Sequence, residues 1–235
     1  MSQIIQLKPK KQPKPKIGVI IQARMSSVRF PGKSMALLAG KPVLEWVIER
    51  AKNIRAGKKH DIEVIIAVPD TPESEPMLKL AETLGVSNFC GNELNVLNRY
   101  YRAAIFFGFE YIVRITGDCP FIDPKVSSEV LQLLLWRKLD YCSNVWPTRT
   151  YPKGLDCEAF TMDTLEAAHN LSGVIGDWEH VTPWMQRTKE VLKANVCQKE
   201  DVSTKNWCVD YPEDIARLEQ EMKQGSIPRT NNNDN

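Results

Sequence analysis

The sequence predicts an α/β fold: one domain on a mostly parallel central sheet with helices on both faces. Three observations carry this. Short uninterrupted apolar runs, such as Ile17-Gly18-Val19-Ile20-Ile21, read as strands buried on both faces. Segments with helical apolar spacing alternate with them, the pattern of a parallel sheet and its crossovers. The chain has 235 residues, 43% hydrophobic and 26% charged, which is enough for one sizeable core.

In order, Ile17 to Ile21 is the first strand and Lys41 to Arg55 a helix with a stripe of Leu44, Val47, Ile48, Ala51 and Ile54. Ile62 to Val68 is the second strand, closed by Pro69-Asp70. Glu73 to Leu84 is a helix stopped by Gly85, and Val86 to Phe89 a short strand. Leu94 to Phe107 is helical, Tyr111 to Ile115 is the fourth strand, and Pro124 to Trp136 is a helix with proline in its first turn and Asp123 as its cap. After residue 139 the pattern loosens into short strands at Tyr141 to Asn144, Cys157 to Phe160, Val191 to Val196 and Trp207 to Asp210. Helices are expected near 162–170, 178–188 and 212–223.

Residues 1–16 carry five lysines and three prolines, which predicts a disordered basic arm, and 224–235 reads as a disordered polar tail. The domain proper is then 17–223. Net charge is +2, and removing the arm's five lysines leaves 2 − 5 = −3, so the body has no nucleic-acid footprint. No apolar run is long enough for a membrane helix and no signal peptide is evident, so a cytoplasmic protein without stable membrane insertion is expected. Six cysteines without CxxC spacing read as reduced, mostly buried thiols.

The segment after the first strand, Gln22-Ala23-Arg24-Met25-Ser26-Ser27-Val28-Arg29-Phe30-Pro31-Gly32-Lys33, is the most informative. Ligands in open α/β sheets bind beyond the carboxyl ends of strands. This loop offers three cations, two hydroxyls and turn amides there, which suits a polyphosphate. It is neither a Walker loop nor a GxGxxG fingerprint, and the alternative is a solvated basic loop. Thr116-Gly117-Asp118-Cys119-Pro120 ends the fourth strand at the same edge, and Asp210 precedes Tyr211-Pro212. Magnesium takes one or two carboxylates with phosphate oxygens and water, so these two acids are candidate ligands. The alternatives are a turn cap for Asp118 and a helix cap for Asp210.

The loop, with Gly40-Lys41-Pro42 after it, resembles the opening signature of the CMP-sugar synthetase type of nucleotidyltransferase, and within it the group of the spore coat polysaccharide biosynthesis protein F. The likeness continues at 95–101, at 114–123, in Tyr151-Pro152-Lys153-Gly154-Leu155-Asp156-Cys157-Glu158, at 179–183 and at 209–214. The chain departs at Phe30, at Ser34-Met35 and at Trp178 before Glu179-His180.

The resemblance implies a Rossmann-like nucleotide-diphospho-sugar transferase fold of the GT-A type. It implies a cytidylyltransferase that moves CMP from CTP to an acidic or modified sugar with Mg²⁺, releases pyrophosphate, serves surface polysaccharide synthesis and works as a homodimer. Arg24, Lys33, Asp118 and Asp210 would be catalytic, with Asp118 and Asp210 on the metal. Gln22, Ala23, Ser26, Arg29 and Arg99 would join Arg24, Lys33 and Asp118 around the nucleotide, and Asp156, Glu158 and His180 would shape the acceptor site. A surface salt bridge for Arg99 and a core position for His180 are the competing readings. Two other functions stay open: a glycosyltransferase of the related fold, although no DxD stands at Asp118, and a nucleotide-binding module without turnover.

Overall fold

The structure, a computed structural model, describes residues 14–57 and 59–227. β1 (Lys16–Gln22) passes through the basic loop and a small hairpin, β2 (Leu37–Leu38) with β3 (Lys41–Pro42), into α1 (Val43–Ala51). β4 (Asp61–Pro69), α2 (Glu75–Thr83), β5 (Ser87–Gly91), α3 (Val96–Phe107), β6 (Tyr111–Thr116) and α4 (Pro124–Arg137) complete the regular half. The second half holds β7 (Tyr141–Ser143), β8 (Glu158–Thr161), α5 (Met162–Leu171), α6 (Ile175–His180), α7 (Pro183–Arg187), β9 (Lys193–Asn195) and α8 (Glu213–Lys223). No helix among the described residues is long and apolar enough to cross a membrane.

Seven strands form one sheet in the order β5-β4-β1-β6-β8-β7-β9. Only β8 runs against its neighbours. The expected fold class is therefore what the chain adopts. The continuous apolar runs work because side chains leave a strand alternately to opposite faces. Ile17, Val19 and Ile21 enter one core with α1, α2 and α4, while Ile20 enters the other with α3 and α5. β1 pairs with β4 on one side and β6 on the other, so the chain order reverses across it. That is the switch point where a ligand crevice opens.

Asp123 caps α4 as expected, accepting from Lys125 N at 2.7 Å. Several expectations need correction. Lys41 and Pro42 belong to the hairpin, so α1 starts only at Val43. The helix expected at 178–188 is two short helices, broken where Val181 adopts φ 71°. Trp207 to Asp210 is not a ladder strand. It is an extended strap whose amides go to loops, Trp207 N to Lys153 O at 2.7 Å and Val209 N to Asp118 O at 2.9 Å.

The domain limits also move. Lys16 opens β1, and Asp61 N donates to Pro15 O, so the body begins before residue 17. At the other end Ile227 is buried with Leu38, Val43, Trp207 and Leu218 in a third core. The expectations for 1–13 and 228–235 lie outside the described residues.

Candidate active site

A cleft of about 340 Å³ lies at the carboxyl edge of β1 and β6. Its floor depends on close backbone approach. Gly117 N donates to Gln22 O at 2.7 Å, and a Cβ on Gly117 would lie 2.8 Å from the Ala23 Cβ. Any side chain there would push β1 and β6 apart at their ends, hence the glycine. The loop after β1 folds on itself, with Ser27 N and Gly32 N both donating to Met25 O. Gly32, at φ 75°, turns the chain into the short helical turn that starts at Lys33.

Lys33 is the hub. Its Nζ donates to Asp118 Oδ2 at 2.5 Å and to Asp210 Oδ1 at 3.2 Å. Burial, the largest influence, pulls the ammonium down, but the two carboxylates outweigh it and leave its pKa raised. Asp210 faces three cations, accepting from Arg29 Nη2 at 2.7 Å, from Lys33, and from Lys153 Nζ at 2.7 Å. Burial works against its charge, yet Lys153 and Lys33 hold its carboxyl below the usual range. Arg29 also lies 5.2 Å from the Tyr211 ring centroid. Asp210 does not cap the last helix. Asp214 does the local capping instead, accepting from the amides of Asp210 and Tyr211.

The cleft also gathers Gln22, Ala23, Arg24, Arg99 and His180. Arg99 is not on the surface: it is 1% exposed and donates to Asn92 O at 2.9 Å. Burial lowers its pKa to about 10. Its Nε and the Gln22 Oε1 are buried and have no hydrogen-bond partner among the described residues. His180 is exposed rather than part of the core.

Three expected site residues lie elsewhere. Ser26 does not line the cleft, and its Oγ donates to Glu93 at 2.6 Å. Asp156 is held by Arg149 through two hydrogen bonds, at 2.6 and 2.8 Å. Glu158 is 3% exposed and sits directly across from Arg114 in the β6–β8 ladder, accepting from Arg114, Tyr141 and Gln186. A buried arginine needs a counter-charge, and Glu158 supplies it. In turn the cleft includes Ser27 and Glu179, which sequence reasoning left out of the site. Glu179 Oε1 is 3.7 Å from Arg24 Nη2. Its place beside His180 was the one available signal.

Residues 18–227 match the family model described as cytidylyltransferase. The uncharacterized protein MJ1063 of Methanocaldococcus jannaschii is 36% identical over 178 residues, covering 76% of this chain and 70% of that protein. The spore coat polysaccharide biosynthesis protein SpsF of Bacillus subtilis is 27% identical over 71% of this chain and 68% of its own length. A solved cytidylyltransferase of Leptospira borgpetersenii superposes with a TM-score of 0.80 at 26% identity, over 94% of this chain and all of that one. With a match that spans nearly the whole described body and every cleft-lining residue, the chain belongs to the cytidylyltransferase family.

Proposed function

We propose that the chain transfers CMP from CTP to an acidic or otherwise modified sugar, releases pyrophosphate, and serves surface polysaccharide synthesis. The observation that carries this reading is the convergence of Lys33, Asp118 and Asp210 in one cleft with Arg24 and Arg29, at the sheet's switch point. An acceptor oxygen attacks the α-phosphorus, the bond to the bridging oxygen breaks, and pyrophosphate leaves with the electron pair. Cations fixed in advance stabilise the charge that builds on the phosphates. Arg24, Arg29 and Lys33 are those cations, and the raised pKa of Lys33 keeps it charged at neutral pH. Gln22 and Arg99 line the cleft where the base would lie. His180 and Glu179 form the wall offered to the acceptor.

The donor set fits magnesium. Asp118 and Asp210 each place a carboxylate oxygen on one cation, Lys33 Nζ. Magnesium held by two carboxylates would take its remaining ligands from nucleotide oxygens and water. When bound, Mg²⁺ neutralises phosphate charge. Asp118 and Asp210 would hold it, with Lys33 between them.

A screen for pyrophosphate release, with four NTPs against sugar acids and sugar phosphates, tests the reading. Release with CTP and an acidic sugar is expected, and light scattering is expected to give a dimer. Turnover of a nucleotide sugar with no pyrophosphate would point to a glycosyltransferase, and binding without turnover to a regulatory module.

A further inference from the structure

Next to the cleft two thiols meet. Cys119 and Cys208 lie 89 positions apart in sequence, yet their Sγ atoms are 3.3 Å apart. Both are buried, at 2% and 5% exposure. Cys119 directly follows Asp118, and Cys208 stands two residues before Asp210. The two segments are already tied by the Val209 N to Asp118 O hydrogen bond. The thiol pair therefore links the two stretches of backbone that carry both carboxylates of the site.

We propose that Cys119 and Cys208 are an oxidation site for hydroperoxides, closing to a disulfide that switches the nucleotide cleft off. For its functional readout this rests on the cytidylyltransferase reading. One thiol takes an oxygen from hydrogen peroxide, giving a sulfenic acid and one water. The second thiol attacks that sulfur, the S–O bond breaks, and its oxygen leaves as a second water. Two thiols are oxidised and one peroxide is reduced, so the balance closes.

The consequence follows from geometry. A disulfide holds its sulfurs about 2.05 Å apart, so the two Sγ atoms must approach by about 1.2 Å, through side-chain rotation and backbone movement at Cys119 and Cys208. Asp118 and Asp210 share Lys33, and Asp210 also holds Arg29 and Lys153, so backbone movement at either cysteine is passed to the cations of the cleft. Misplacing reacting groups by about 1 Å costs about 100-fold in rate. Both thiols are nearly sealed from solvent, so the oxidant must be small and neutral.

The test treats the full chain with hydrogen peroxide, alkylates remaining thiols and maps peptides by mass. A cross-linked pair containing Cys119 and Cys208, lighter by about 2 Da, is expected. Pyrophosphate release should fall tenfold or more, CTP affinity by calorimetry should change, and dithiothreitol should restore both. Cys208→Ala and Cys119→Ala should each keep turnover after peroxide, although each retains the exposed Cys197. Separate alkylation of both cysteines overturns the proposal, and so does a cross-link that leaves turnover and CTP affinity unchanged. Absence of CTP binding in the untreated chain would count against the cytidylyltransferase reading alone, since the disulfide is read by mass in either case.

Discussion

The two walls of the cleft are built in opposite ways. One is the loop from Gln22 to Lys33, contiguous in sequence and braced by its own turns on Met25 O. The other is the strap from Trp207 to Asp210, with no ladder of its own, hung between the carbonyls of Lys153 and Asp118. The loop carries its cations with it. The strap carries one carboxylate, whose setting is made by Arg29, Lys33 and Lys153 from elsewhere in the chain. A local wall can be recognised by its composition, whereas an assembled wall exists only once the chain has closed.

That contrast breaks most sharply at the acids. Asp118→Asn is expected to keep the fold and cut pyrophosphate release about 1000-fold, the scale of losing a preorganised charge at the reacting group. Asp210→Asn should lose turnover similarly but also lower Tm, because Arg29 and Lys153 then lose their carboxylate partner and Lys33 keeps only Asp118. Equal melting temperatures for the two variants would show that the strap depends on its charge partners no more than the end of β6 does. Next in size, Glu158→Gln strands the partly buried Arg114, whose side chain is 13% exposed, and should cost about 3 kcal/mol, a fall of roughly 10 °C in Tm, while CTP affinity in the folded protein stays as it was. A selective loss of acceptor binding at unchanged Tm would return Glu158 to the site.

Within the loop, Arg24→Ala and Lys33→Ala should each weaken CTP binding by about 10-fold or more in calorimetry, as loss of a charge-assisted contact predicts. Arg29→Ala should be milder, since its side chain is 53% exposed.

Asp210 and Lys33 also set a pH dependence. Asp210 has a folded pKa below the unbound value of 3.8, so its stabilisation is full above that value and is lost as pH falls through the folded pKa. Lys33 is shifted up from 10.5, so its share is full below that value and is lost as pH rises through the folded pKa. Denaturant titrations at pH 3 and pH 7 should differ less for Asp210→Asn than for the parent. The smallest effect belongs to the arm: deleting residues 1–13 should leave Tm and turnover nearly unchanged, because lysines and prolines bury little apolar surface. A large drop in either would mean that the arm packs on the body or on a second copy.

The sheet, the helices on both faces and the basic loop after the first strand were legible in the sequence alone, because period-2 and period-3.6 patterns and a run of cations are local properties. The sequence also placed Asp118 correctly at the end of β6, since a strand end is read from its own residues. Only the tertiary structure decided which charges meet. Glu158 lies in a block with Asp156, but the register of β8 against β6 sets it opposite Arg114 and gives it to the core. Arg99 lies within a helix whose apolar side faces the sheet, and only packing shows it buried and lining the cleft. Glu179 and His180 reach the cleft because Val181, at φ 71° and fully buried, breaks the expected helix between them and α7. The reason is common to all three. Charge pairing and burial depend on residues tens of positions away, and no local pattern contains that distance.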